Sequence, residues 1–288
     1  MLTDKALNSA DHSDRNCRMK NKNNLKEKLE ELYSFYNKKK FVHPDPLEFL
    51  YNYKDLRDRE VVALIASSLA YGRVAQILKS VSTVLEIMSP SPFDFLTGIS
   101  EKKLLSSFTG FKHRFTTGED MSCMLLAAKK MIEKDGSLLN AFISVYSSAD
   151  ENILPALSSF AGRLVEESDG SKNSLIPLPD RGSACKRLIL FLRWMVRKDQ
   201  VDPGGWDIIP PSKLIIPLDT HMYSICTGLE MTCRKQADMQ TAIEITSAFK
   251  RIIPEDPVKY DFSLTRLGIR KEGDPALFIS RIVKPGRS

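Results

Sequence analysis

Apolar positions in this chain recur at three- and four-residue steps, broken by short polar stretches rich in Pro, Gly, Ser and Asp. That spacing predicts helices with one buried stripe. Leu25, Leu29, Leu32 and Tyr36 share the first such face, with Lys and Glu between them. The Lys38-Lys39-Lys40 run stands where cations suit the negative end of that helix. His43-Pro44-Asp45-Pro46 breaks the pattern. Asp58 is a candidate cap for the next helix, which carries Val61, Val62, Leu64, Ile65 and Leu69 and is apolar nearly all round. A helix of that kind belongs at the centre of a core. Residues 74–88 predict another helix, and Ser91-Pro92 is a cap-and-first-turn signal for a short one. Residues 110–117 read as a loop with Lys112, His113 and Arg114. Residues 119–134 read as a helix that Gly136 ends in the left-handed conformation, with two more near 138–147 and 153–167.

A polar linker over 168–181 ends in Pro177 and Pro179. Beyond it the pattern predicts a strong helix over 183–197, then a Pro/Gly loop over 199–213. Asp219 and Asp238 each cap a helix, the second running to about Ile253. Asp256-Pro257 starts the last helix and Gly268 ends it. Period-two alternation is nearly absent, and there is no repeat at a fixed period. The expected fold is all-α, roughly ten helices in one or two helical subdomains. Residues 1–24 form a flexible polar leader in this reading, 25–270 the helical domain with a possible division at the linker, and 271–288 a C-terminal tail.

Composition narrows the class. The 288 residues are 42% hydrophobic and 27% charged, with a net charge of +6, which excludes a wholly disordered chain. No apolar run approaches the roughly 20 residues that span a bilayer, so no membrane partner is expected. The polar N-terminus lacks the apolar centre of a secretory signal. Cys17, Cys123, Cys185, Cys226 and Cys233 are an odd, scattered set without a CxxC pair. They read as reduced thiols in a cytoplasmic protein, with no metal site and no cofactor. The positive balance permits a nucleic-acid partner where the charge clusters.

The helix predicted over 183–197 concentrates that charge. On a wheel of 100° per residue, Arg193 and Arg197 fall within about 20° of Lys186, while Leu188, Leu192 and Met195 fall opposite. The stripe fits a solvated basic face or a phosphate-facing surface. A lysine in the first turn meets the positive end of its own helix. That potential, with burial, favours the neutral amine a nucleophile needs. Asp219, in Ile216-Pro217-Leu218-Asp219-Thr220-His221, is a helix cap that can also stay ionised and stabilise a developing oxocarbenium ion. His221 stands behind it in the first turn. Trp194 and Trp206 read as packing residues, and no P-loop, dinucleotide, HExxH or GxSxG pattern occurs.

The run Gly182-Ser183-Ala184-Cys185-Lys186-Arg187, then Phe191-Leu192-Arg193-Trp194-Met195-Val196-Arg197, then Pro217-Leu218-Asp219-Thr220-His221, resembles an uncharacterised bacterial domain family. Glu255 to Phe262 and Leu267-Gly268 fit the same family, over roughly residues 25–270. More distantly, Gly-x-x-x-Lys at a helix start followed by an apolar-Asp-Thr-His segment resembles the helix-hairpin-helix DNA glycosylases. That likeness implies Lys186 as nucleophile and Asp219 as catalytic carboxylate, with Tyr71 and Arg73 near the lesion-facing loop. Pro179-Asp180-Arg181-Gly182 replaces the usual Gly-x-Gly turn, and the gap from Lys186 to Asp219 is long. Both departures resemble the archaeal oxidised-guanine branch.

The reading that follows is a DNA-repair glycosylase with lyase activity on damaged duplex DNA. Lys186 and Asp219 carry the chemistry, His221 supports them, and Arg73, Arg187, Arg193 and Arg197 contact nucleic acid. Two others stand beside it. One is a non-catalytic nucleic-acid-binding module. The other is a helical interaction protein, in which Lys186 and Asp219 would lie far apart or Lys186 would point to open solvent; a separation of more than about 10 Å without an intervening cleft, beyond the reach of catalytic partners, would favour it. The sequence names neither the lesion nor an oligomeric state, and does not separate DNA from RNA.

Overall fold

Helix α2 (Leu56–Ser68) is the centre of the fold, and every residue from Glu60 to Ser68 in it is buried. The apolar periodicity foretells this, because a helix without a polar face has no side to give to water. Each fully buried Val, Leu or Ile there contributes about 1.5–3 kcal/mol. The computed structural model describes residues 22–168, 173–179, 182–270 and 272–283. Within them are thirteen α-helices and a two-stranded hairpin, more helices than the roughly ten expected. Residues 1–21 of the expected leader lie outside the described residues, as do 169–172, 180 and 181 of the linker.

Around α2 pack α3 (Val74–Ile87), α4 (Pro92–Gly98), α7 (Leu138–Ile143) and, most extensively, α9 (Lys186–Val196). Helix α6 (Gly118–Asp135) carries α5 (Glu101–Ser107) and α8 (Leu154–Glu167). Helix α1 (Lys22–Tyr36) crosses the chain to pack on α12 (Asp261–Ile269) and α13 (Pro275–Val283), and α12 packs in turn on α10 (Thr220–Gly228). Helix α11 (Met239–Lys250) is tied in where the Ile216 amide donates to Thr246 Oγ1 at 3.0 Å. The buried apolar side chains form one continuous cluster from Leu25 to Ile282. Trp194 and Trp206 are both inside it.

Local signals mostly act where they stand. Ser91 Oγ accepts from the Asp94 amide to cap α4, and Gly136 ends α6 at φ 87°. Asp219 and Asp238 cap α10 and α11 as expected. Other signals act elsewhere. Asp55, not Asp58, caps α2, and the Asp58 carboxylate accepts from Ser91 Oγ and the Phe93 amide at the head of α4. The lysine run lies past the end of α1, and Lys39 packs its ammonium over the Tyr51 ring instead. Helix α12 starts at Asp261 rather than at Asp256-Pro257, and Asp256 pairs with Arg197. The expected tail contains α13, and Gly268 lies within α12, so it does not end the last helix.

The expected loop at 110–117 is a hairpin of β1 (Lys112–His113) and β2 (Thr116–Thr117). Its two-residue turn is Arg114-Phe115, with Arg114 left-handed at φ 55°. On either side of the expected helix-hairpin-helix turn, α8 packs chiefly on α6 and α9 chiefly on α2. The two meet where the Phe160 and Phe191 rings stack at 6.2 Å. Asp180 and Arg181 of that turn lie outside the described residues.

Candidate active site

A cleft of about 1060 Å³ opens where the first turns of α9 and α10, one side of α12, the His43–Pro46 turn and the Tyr71–Gly72 bend converge. Asp219 stands at its wall because the head of α10 needs an acceptor: its Oδ1 takes the Met222 amide at 2.8 Å. That leaves Oδ2 facing the cleft, where Lys186 Nζ meets it at 3.0 Å. Lys186 is the first residue of α9 and follows Cys185, which is left-handed at φ 45°. The two side chains are 34% and 18% exposed, so the pair is open to a ligand. Burial pushes the Asp219 carboxyl up, but the Lys186 ammonium and the Met222 amide outweigh it and hold the group below its ordinary range. The separation of more than about 10 Å that would favour the interaction-protein reading is not found.

The cationic stripe is not a surface. Every residue of α9 from Leu188 to Val196 is buried, Arg193 included. Arg193 is 4% exposed and Arg197 3%. Arg193 bonds Asp202 at 2.8 Å and also Asp261. Arg197 bonds Asp199 and Asp256, each at 2.9 Å, and also Asp202. With their donors spent on buried carboxylates, neither can hold a phosphate as expected. The physical reason is that the loop after α9, the turns before α12 and the head of α12 bring four carboxylates onto the stripe. Charge on one helix wheel does not distinguish water from such a partner.

Arg187 is also committed. Its guanidinium donates to the backbone oxygens of Ser68, at 2.8 Å, and Ser174, and lies 4.9 Å from the Tyr71 ring centroid. It ties α9 to the end of α2, so both of its terminal nitrogens have partners within the protein rather than in the nucleic acid it is expected to contact. Arg73 is exposed at the head of α3, beside the cleft rather than in its lining. His221 lines the cleft, exposed, and its ring packs against Gly268, where a β-carbon would meet His221 Cβ at 3.3 Å.

Several other cleft residues have contacts that local sequence does not foretell. Asp45 caps its own turn through the Leu47 amide and pairs with Arg266 of α12. His43 Nδ1 lies 2.8 Å from Glu48 Oε2. Tyr71 bonds Thr116 Oγ1 at 2.6 Å and the His113 carbonyl at 3.1 Å, fastening the hairpin to the cleft edge. Gly72, at φ 98°, lets Arg114 lie across it, since a β-carbon there would come within 2.8 Å of Arg114 Cδ. Only the folded chain brings these segments together.

Among the described residues no helix is long and apolar enough to cross a membrane. Comparison with curated proteins and with solved structures finds no match. Residues 45–270, which contain the whole cleft lining except His43, Pro44 and Glu272, match the model of one family. The chain belongs to that family, described as a protein of unknown function, DUF2400.

Proposed function

We propose that the chain is a DNA-repair glycosylase with lyase activity, acting on a damaged base rotated into the cleft. The observation that carries this reading is the Lys186–Asp219 pair, 3.0 Å apart on the wall of a cavity large enough for a nucleoside. An amine and a carboxylate at that distance can work on one anomeric carbon. As the bond from C1′ to the base lengthens, positive charge grows on the sugar and the Asp219 carboxylate stabilises it. Lys186 gives up a proton, and its nitrogen bonds C1′ while the base departs with the electron pair of the broken bond and takes up a proton. The sugar ring then opens to a Schiff base, and loss of a C2′ proton expels the 3′ phosphate. Rotating the nucleotide out of the duplex costs a few kcal/mol, least at a mispaired or damaged base.

Borohydride trapping tests the reading. The protein is incubated with duplexes carrying oxidised guanine, uracil or an abasic site, then reduced. A covalent protein–DNA adduct is expected, absent in Lys186→Gln, whose thermal unfolding should match wild type. An adduct that persists in the variant assigns another amine. Duplex binding without any adduct supports the non-catalytic binding module instead.

A further inference from the structure

Phe115 forms the tip of the hairpin beside the cleft and is 64% exposed. Single exposed apolar residues are ordinary, but this one is built into a platform. Its ring stacks on Tyr71 at 5.2 Å and 29°. Tyr71 cannot drift, because Thr116 and the His113 carbonyl hold its hydroxyl. His113 is itself buried, between Ser80 Oγ at 2.9 Å and the Tyr71 carbonyl at 3.0 Å. The ring beneath the tip is therefore anchored from both sides. The tip is also basic: Lys112, Arg114 and Arg73 are exposed around it, and the Arg114 guanidinium lies 6.0 Å from the Phe115 centroid. Tyr71, Gly72 and Arg114 line the same cleft as Lys186 and Asp219.

An exposed aromatic ring stacked on an anchored tyrosine among cations suits an unpaired base in a phosphate-bearing strand. Every base offers a π-face, and the cations track the backbone. When a nucleotide leaves its duplex for the cleft, the gap behind it exposes the faces of the neighbouring bases, and an apolar side chain can fill that gap. We infer that Phe115 enters the base stack at the vacated position, with Arg114, Lys112 and Arg73 on the flanking phosphates. This rests on the glycosylase reading and adds the part of the molecule that holds the opened duplex.

The test compares Phe115→Ala and Phe115→Trp with wild type on two duplexes of one sequence, one intact and one with an abasic analogue beside 2-aminopurine. Phe115→Ala should bind the abasic duplex roughly tenfold more weakly and the intact duplex nearly as well, given what stacking on one base contributes. It should also lose the change in 2-aminopurine emission at saturating protein, and Phe115→Trp should restore both. Equal weakening on both duplexes overturns the inference, leaving Phe115 a general backbone contact. A wild-type Schiff-base adduct with Phe115→Ala unchanged on the abasic duplex overturns it while the glycosylase reading stands. Absence of wild-type binding to either duplex overturns both. An altered oligomeric state in Phe115→Ala with abasic-duplex binding intact overturns the inference alone, since the tip would then be a protein contact.

Discussion

Lys186 and Asp219 form one ion pair across the heads of two helices, and each carboxylate oxygen of Asp219 has its own task. Oδ1 caps α10 through the Met222 amide, and Oδ2 meets the Lys186 ammonium at 3.0 Å. Asp219→Asn separates the tasks, because asparagine caps about as well as aspartate but carries no charge. The pair is partly exposed, so its loss should cost less than about 1 kcal/mol. Adduct formation should fall roughly a hundredfold or more, the scale of losing one electrostatic group aimed at the reacting centre. Urea unfolding beside trapping yield checks both. The native Asp219 carboxyl is held below its ordinary 3.8, so its stabilisation is complete above about pH 4 and fades as pH falls through the native value. Stability and trapping falling together would make Asp219 a structural residue.

Asp202 is fully buried between Arg193 and Arg197. Asp202→Asn leaves two buried guanidiniums short of one charge, and removing one partner of such a network costs about 3–5 kcal/mol. The urea midpoint should drop accordingly. Arg197 is buried with its donors on Asp199, Asp202 and Asp256, so the salt dependence of duplex binding should not change in Arg197→Gln protein that remains folded. A reduced salt slope would mean that Arg197 reaches the backbone after all.

The sequence told much about single elements and little about their partners. Helix α2 was legible as central because its pattern leaves no polar face, and Ser91, Asp219 and Asp238 were legible as caps because capping is local. Lys186 and Asp219 were singled out by helix-terminus chemistry and by resemblance, yet their contact depends on how α9 and α10 lie together. The misreading of Arg193 and Arg197 has the opposite cause. A wheel displays the charges on one helix, whereas Asp199, Asp202, Asp256 and Asp261 arrive from elsewhere in the chain. Tyr71 and Phe115 gain meaning only when the hairpin brings their rings together.

Gly72→Ala should loosen the hairpin from the cleft edge. Alanine at φ 98° is strained, and its β-carbon would stand 2.8 Å from Arg114 Cδ. The two effects should together cost about 1–2 kcal/mol. Trimming the obstacle separates them: in an Arg114→Ala background the same change should keep the backbone strain and lose the crowding. Urea midpoints of the four proteins give the interaction between the two positions. If the penalty is equal in both backgrounds, the crowding contributes nothing.

Glu60 makes stability depend on pH from within the core. Its carboxyl is buried on α2, accepting from Trp206 Nε1 at 3.0 Å and from the Leu138 amide at 2.9 Å. Burial pushes it up to about 7 despite those two donors, from an ordinary 4.5. Between those values the native chain holds a proton that the unfolded chain has released. Stability from this group therefore falls as pH rises through the window and levels off above it. The span corresponds to about 3 kcal/mol. Glu60→Gln cannot titrate, so wild-type stability minus that of Glu60→Gln should decline by about this amount from pH 4.5 to pH 7.5. Urea unfolding at half-unit intervals measures the difference directly. A flat difference would mean that the Trp206 and Leu138 donors hold Glu60 ionised throughout, and that the centre of the fold contains a carboxylate stabilised by hydrogen bonds alone.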